Sequence, residues 1–139
     1  MITKIQSFTD VITNSSSTVF VMHSQDSDYY CLLENTDGCV SAEKIDMEWL
    51  MYHANEVEMI CELLNINPRD ITTKESYSHY EYWKTPDSET WEAFLEMHKE
   101  HIEKTFKDLY WVDIEDHFED AWEVTEQAVN DSVWHDYRH

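Results

Sequence analysis

Histidine and carboxylate side chains are the groups in this sequence best suited to chemistry, because neutral imidazole and carboxylate oxygen together bind zinc or iron. The chain has 8 histidines and 30 aspartates and glutamates. His98 and His101 are three residues apart, and His117 follows Asp113 by four. Neither an HExxH nor an ExxH motif is present, and such spacings arise by chance at this composition. We therefore predict no metal site and no cofactor, and keep a metal-dependent enzyme built on His98, His101 and His117 as an alternative.

Serine and cysteine residues show no catalytic pattern. The serines at residues 15–17 lack the Gly-x-Ser-x-Gly context of a hydrolase nucleophile, so a role at a turn or strand entry explains them better. The three cysteines, Cys31, Cys39 and Cys61, have no CxxC spacing, which argues against a zinc ribbon and a disulfide framework. Reduced thiols are expected, although Cys31 and Cys39 could pair across a hairpin in an oxidising compartment. We predict that the protein is not an enzyme.

The most concentrated charge lies near the C-terminus, where residues 85–139 contain sixteen acidic and four basic residues. We predict one helix from about residue 113 to residue 137, in which carboxylates four positions apart recur about every 6 Å. That repeat is comparable with two phosphate steps of about 3.4 Å along one strand of duplex DNA. The carboxylates predicted to contact a partner are Asp113, Glu115, Asp116, Glu119, Asp120, Glu123 and Glu126. A charged face is often only a solvated face, and that alternative stays open.

Composition restricts the classes of partner. The formal net charge is −21 and the pI is about 4.4, which excludes direct binding to nucleic acid and to anionic membranes, since both depend on clustered lysine and arginine. Hydrophobic residues make up 42% and aromatic residues 14%, so a packed core is expected rather than disorder. No signal peptide and no apolar run of about 20 residues is present. We expect a soluble, cytoplasmic protein.

The elements that position these groups begin with a β-rich segment. Residues 1–40 hold three runs that predict antiparallel strands, Ile2–Phe8, Thr18–Met22 and Tyr29–Leu33. Asp37 is followed by the only glycine of the chain, Gly38, and Asp-Gly is a strong turn signal. A further short strand near residue 40 is consistent with the sequence. The segment therefore predicts a small antiparallel sheet.

From residue 41 onward, apolar residues recur at intervals of three and four residues, which predicts helices. The first helix begins near Ser41 or Asp46 and ends at residues 65–68. The second is capped by Thr85, has Pro86 at its first position and continues to about residue 109. The third is the acidic helix of residues 113–137.

Three tryptophans, Trp49, Trp91 and Trp122, lie on apolar stripes and are predicted to be core residues. The aromatic segment of residues 72–84 is compatible with a short helix, a turn or a strand, and could form a contact surface. We predict an α+β fold in which an N-terminal antiparallel sheet of about three strands packs with three main α-helices. It forms one domain, residues 1–139, β-rich over 1–40 and mainly helical over 41–139.

The string SFTDVITNSSSTVFV at residues 7–21 resembles a short N-terminal signature, SFTDxITNSSS, found in small uncharacterised proteins of tailed bacteriophages and some bacteria. The match covers about a tenth of the chain. The resemblance implies a viral origin, and it implies no activity or catalytic residue. Among phage proteins, small acidic chains that imitate DNA are common inhibitors of host defence.

Charge and resemblance together lead to a functional hypothesis. The chain is predicted to be a non-enzymatic phage-type inhibitor that acts in the host cytoplasm. Its acidic helix is predicted to occupy the basic nucleic-acid site of a host protein, such as a CRISPR effector, a restriction enzyme or a polymerase. The alternative of a different class is a structural or assembly protein of a phage particle, which uses apolar and aromatic surface.

Overall fold

The computed structural model describes residues 16–23, 39–117 and 121–138. Within these ranges the chain forms six strands and five α-helices: β1 Ser17–His23, β2 Val40–Lys44, α1 Met47–Met51, α2 Val57–Leu64, β3 Lys74–Tyr77, β4 Tyr80–Trp83, α3 Ser88–Met97, α4 Lys99–Thr105, β5 Leu109–Glu115, α5 Ala121–Asp131 and β6 Trp134–Arg138. Short 3-10 helices occupy Ala54–Glu56 and Pro68–Asp70. The chain divides into two compact units. The terminal unit comprises Met1–Lys44 and Asp108–His139, and the central unit comprises Ile45–Lys107.

The terminal unit contains a four-stranded antiparallel sheet in the order β2-β5-β1-β6. Strand β5 lies between β1 and β2, so these two early strands are not neighbours. In the register of the sheet, Val112 of β5 pairs with both Phe20 of β1 and Ala42 of β2. Phe20 also pairs with His135 of β6. Each strand of the sheet is therefore hydrogen-bonded to a strand that is distant from it in sequence.

One face of this sheet packs against α5. Phe20 and Val112 of the sheet form a buried cluster with Val124 and Ala128 of the helix. Successive side chains of a strand point to opposite faces, so the neighbours of Val112 in β5 point away from α5. The position of an acidic residue in β5 thus decides on which side of the sheet its carboxylate lies.

The central unit is built from α1 to α4 and a hairpin. Asp46 caps α1 by accepting a hydrogen bond from the Trp49 backbone N–H at 2.9 Å. Asn65 ends α2 in the left-handed conformation, with φ of 59°. The core includes Trp91 of α3, which is 1% exposed and whose indole N–H donates to the Leu50 carbonyl oxygen at 2.7 Å. This bond ties α1 to α3.

The aromatic segment of residues 72–84 forms a hairpin made of β3 and β4. Its two-residue turn, Ser78 and His79, has φ of 50° and 68°, which is the type I′ geometry that matches the twist of the strands. Lys74 pairs with Glu81 across the strands at 3.2 Å. Of the three alternatives that the sequence left open, the structure therefore shows the strand.

The predicted α+β class is confirmed, but the predicted sheet of about three strands packed with three main helices is wrong. The described residues hold six strands in two sheets and five α-helices. The first predicted helix is preceded by β2 and is interrupted at His53, whose Nδ1 lies 2.6 Å from the Trp49 carbonyl oxygen. The second is interrupted at His98 and followed by β5. The third is divided among β5, α5 and β6.

Other predictions have mixed outcomes. The strand predicted at Thr18–Met22 is confirmed as part of β1, whereas Ile2–Phe8 and Tyr29–Leu33 lie outside the described residues. The cap predicted at Thr85 is wrong, because Asp87 accepts the capping hydrogen bond of α3. The fold does not test the single domain. Cys31 lies outside the described residues, so the Cys31–Cys39 disulfide is not tested either.

Candidate functional site

Helix α5 presents an unusual solvent-facing surface. Its buried positions are Ala121, Val124 and Ala128, three and four residues apart, and they face the sheet. This rotation leaves Trp122 80% exposed and Val129 41% exposed. The prediction that Trp122 lies in the core is therefore wrong, whereas Trp49 and Trp91 are buried as predicted.

The exposed side of α5 combines aromatic and acidic groups. Glu126 and Val129 lie four and seven residues after Trp122 and so share its side of the helix, and exposed Glu123 lies beside them. We call Trp122, Glu123, Glu126 and Val129 the α5 face. An indole can stack on a guanidinium group while carboxylates pair with the same cation. The α5 face is therefore suited to bind arginine.

In the described part of the terminal unit, which includes the α5 face, negatively charged side chains far outnumber positively charged ones. The carboxylates in its described part are Glu43, Asp108, Asp113, Glu115, Asp116, Glu123, Glu126, Asp131 and Asp136, against Lys44 and Arg138. Both cations are engaged elsewhere, since Lys44 Nζ donates to the Leu109 carbonyl oxygen at 3.3 Å and Arg138 Nε donates to Asp136 at 3.1 Å. No described lysine or arginine forms an ion pair with Glu123 or Glu126. These two carboxylates are available to a partner.

The structure separates the carboxylates that the sequence placed on one helix. Glu123 and Glu126 lie on α5 and are exposed, and Asp116 is exposed in the turn after β5. Asp113 and Glu115 belong to β5 and alternate with Val112 and Ile114, which face α5. Glu119 and Asp120 lie outside the described residues.

The predicted repeat along one continuous helix is therefore wrong, because β5 pairs with β1 and β2 instead of joining α5. Asp113 and Glu115 lie on the side of the sheet opposite α5. Asp113 Oδ1 is also buried and has no hydrogen-bond partner among the described residues. One flat surface of the sheet and helix cannot present these strand carboxylates together with those of α5.

The central unit has an open groove of about 890 Å³. Its lining includes Asp70, Asp87, Phe94, exposed Met97 and His98. Asp87 caps α3. Because its carboxylate accepts hydrogen bonds from the Thr90 backbone N–H and hydroxyl, its pKa is held below the ordinary value. The groove therefore offers shape and negative charge without an obvious reacting group.

The histidines named in the metal alternative have separate roles. His98 packs on the Phe94 ring at 4.8 Å between centroids, and His101 Nε2 lies 2.8 Å from the Leu64 carbonyl oxygen, both within the central unit. His117 belongs to the terminal unit, where it lies beside Glu115 and Cys39. Among the described residues, these last three make up the group of histidine, cysteine and acidic side chains close enough to share an ion.

Comparison with known proteins gives no relatives. No protein-family model, curated protein or solved structure is significantly similar to this chain. Within the described ranges, every helix is too short or too polar to cross a lipid bilayer. The argument about function therefore depends on the chemistry of the described surfaces.

Proposed function

We propose that this protein is a non-enzymatic inhibitor that binds the basic nucleic-acid site of another protein through the α5 face. The observation that carries the proposal is Trp122, which is 80% exposed on a helix whose neighbouring carboxylates, Glu123 and Glu126, have no described cationic partner. A tryptophan that is exposed to water does not contribute the free energy that its burial would supply. A binding surface gains from such a side chain, since tryptophan is enriched among the residues that dominate interface energies.

Charge complementarity identifies the chemistry of the partner. Sites that hold nucleic acid are rich in arginine and lysine. The net charge of −21 accelerates the encounter with such a site at low ionic strength. The indole and the two carboxylates of the α5 face then provide short-range contacts to arginine. This arrangement replaces the long carboxylate ladder predicted from the sequence with a compact contact centred on one tryptophan.

The resemblance of residues 7–21 to a phage signature supports a host target in this proposal. A CRISPR effector, a restriction enzyme or a host polymerase would each offer a basic channel for nucleic acid. The inhibitor would act in the cytoplasm of the host cell, where those enzymes operate.

A second candidate function has its own supporting observation. Apolar and aromatic side chains are exposed at Val129 (41%) and Val133 (44%), and at Tyr77 (74%) and Tyr80 (69%) of the hairpin. A structural or assembly protein of a phage particle would cover such groups. Contacts of that kind persist at high salt, whereas charge-dependent contacts are screened.

The test uses immobilised full-length protein and a nuclease-treated bacterial lysate. The variant Glu123→Lys/Glu126→Lys reverses two charges on α5, and Trp122→Ala removes the indole. Glu92→Lys/Glu96→Lys is the matched control, because both of these glutamates are exposed on α3 and the net charge changes equally. Bound proteins are eluted along a salt gradient or displaced with a duplex DNA oligonucleotide, and identified by mass spectrometry.

We expect a nucleic-acid enzyme that is displaced by DNA, lost from both α5 variants and retained by the α3 control. Equal loss from the α3 control would show that total charge, not the α5 face, determines binding. Partners that remain through high salt and are not displaced by DNA would refute the proposal in favour of the assembly protein.

A further inference from the structure

Three side chains with metal-binding groups meet at one end of the sheet in the terminal unit. Cys39 immediately precedes β2, Glu115 ends β5, and His117 follows in the next turn. The Glu115 backbone N–H donates to the Cys39 carbonyl oxygen at 2.8 Å, which continues the β2–β5 pairing by one step. The sheet itself thus brings together residues that are 78 positions apart.

The His117 ring lies between the other two groups. Its Nε2 is 3.6 Å from the Cys39 sulfur and 3.3 Å from Glu115 Oε2. One ligand atom from each of the three residues lies within 4.8 Å of the others. Cys39 and Glu115 are half-buried and His117 is exposed, so the cluster is accessible from solvent.

The two separations from His117 Nε2 match edges of a zinc coordination tetrahedron. Zinc lies about 2.3 Å from a thiolate sulfur, about 2.0–2.1 Å from an imidazole nitrogen and about 2.0–2.2 Å from a carboxylate oxygen. At the tetrahedral angle, these bond lengths place sulfur about 3.6 Å from nitrogen and nitrogen about 3.4 Å from oxygen. The observed values are 3.6 Å and 3.3 Å.

Hydrogen bonding alone does not satisfy the His117 ring equally well. The Nε2 atom carries at most one hydrogen, so it cannot make a full hydrogen bond to both the Cys39 sulfur and the Glu115 carboxylate. If Nε2 carries no hydrogen, its lone pair faces the Glu115 carboxylate oxygen, and two hydrogen-bond acceptors then lie against each other. A divalent cation attracts the thiolate, the imidazole and the carboxylate at the same time.

We propose that Cys39, Glu115 and His117 bind one zinc ion, with water as the fourth ligand. The soft thiolate and the imidazole favour zinc over magnesium or calcium, which prefer all-oxygen sites. The charge of −21 raises the local concentration of cations around the site. The ion connects the start of β2 to the turn after β5, and zinc therefore raises the melting temperature of the protein.

The test uses the full chain purified without a histidine tag, treated with chelator and kept reduced. Zinc is titrated by calorimetry, and cobalt(II) serves as a spectroscopic probe. We expect one equivalent of either metal to bind, with release of the thiol proton. Bound cobalt is expected to show a thiolate-to-metal charge-transfer band in the near ultraviolet.

Variants identify the ligands. Cys39→Ser is expected to abolish the charge-transfer band, whereas Cys61→Ala, which changes a buried thiol elsewhere, retains it. Glu115→Gln and His117→Gln alter partly or fully exposed side chains and are expected to weaken zinc binding by at least about tenfold, since even outer-shell changes cost 10- to 100-fold. Circular dichroism checks that each variant is folded.

Three results would overturn the proposal. These are the absence of saturable zinc binding by the wild-type chain, a charge-transfer band that survives Cys39→Ser, and an unchanged zinc affinity in both Glu115→Gln and His117→Gln. If Cys39→Ser fails to fold, the other two variants decide the question.

Discussion

The buried thiol of Cys61 provides a quantitative test of the core of the central unit. Cys61 lies on α2 and is 0% exposed. Burial, followed by repulsion from the Asp70 carboxylate, raises the pKa of this thiol from 9.0 to about 11. Because the unfolded chain loses the proton first, the folded state is fully stable below pH 9 and loses stability as the pH rises from 9 to 11.

The size of the loss follows from the two pKa values. With an unfolded pKa of 9.0 and a folded pKa of about 11, the free energy of unfolding falls only slightly at pH 9 and by about 1 kcal/mol at pH 10, since one pKa unit corresponds to about 1 kcal/mol. Cys61→Ala removes this titration and adds only a constant cost for the lost volume. The stability difference between wild type and Cys61→Ala is therefore expected to shrink by about 1 kcal/mol between pH 7 and pH 10.

The measurement is urea unfolding in the presence of a reductant, followed by tryptophan fluorescence. Titrations of tyrosine and lysine occur in both proteins and cancel in the difference. Asp70→Asn is expected to reduce the pH dependence of the wild-type protein, because it removes the second cause of the shift. A difference between wild type and Cys61→Ala that stays constant from pH 7 to pH 10 would show that the thiol is hydrated and is not enclosed by the packing around α2.

Three further predictions concern local interactions. His79→Gly relieves the left-handed conformation of the hairpin turn and is expected to slow amide hydrogen exchange in β3 and β4 up to about fivefold, equivalent to about 1 kcal/mol. Trp122→Ala is expected to change the free energy of unfolding by less than about 0.5 kcal/mol, whereas Trp91→Ala costs about 3–5 kcal/mol, as measured by urea unfolding. Asp87→Ala removes the cap of α3 and is expected to lower the melting temperature at pH 7. That decrease should diminish as the pH falls below the ordinary carboxyl pKa of 3.8, because the unfolded chain takes up the proton first, and the cap contributes least once the folded carboxyl is protonated as well.

The parts of the fold that depend on local chemistry could be predicted from the sequence. Asp46 was one of two predicted starts of the first helix, and it caps α1. The predicted end of that helix at residues 65–68 is confirmed, because Asn65 tolerates the left-handed conformation. The apolar stripe around Trp49 and Trp91 identified buried positions, since the helical repeat determines which side chains share a face.

The error in the acidic segment has a physical cause. Residues 109–115 alternate with a period of two, while residues 113–133 also fit a helical repeat, so both structures are compatible with Asp113 and Glu115. Pairing with β1 and β2, which are far away in sequence, decides in favour of the strand. No local signal carries that information.

The orientation of α5 was equally ambiguous. The predicted core stripe of this helix includes Ala121, Trp122 and Val129, and a stripe rotated slightly from it carries Ala121, Val124 and Ala128. The larger side chains favoured the first stripe as the core, but the helix buries the second against the sheet. The cluster of Cys39, Glu115 and His117 was missed for a related reason, since the 78 positions between Cys39 and His117 leave no motif spacing to recognise.

The strand order has a consequence for synthesis of the protein on the ribosome. Strands β1 and β2 are made early, but each pairs with β5, and β1 also pairs with β6. A nascent chain that ends before Leu109 therefore contains neither described partner strand of β1, whose sequence includes the apolar run TVFVM. The central unit is a contiguous segment and can complete its contacts during this interval. Until β5 emerges and pairs with β1 and β2, β1 lacks both of its described partner strands, and an unpaired apolar strand favours chaperone binding and aggregation.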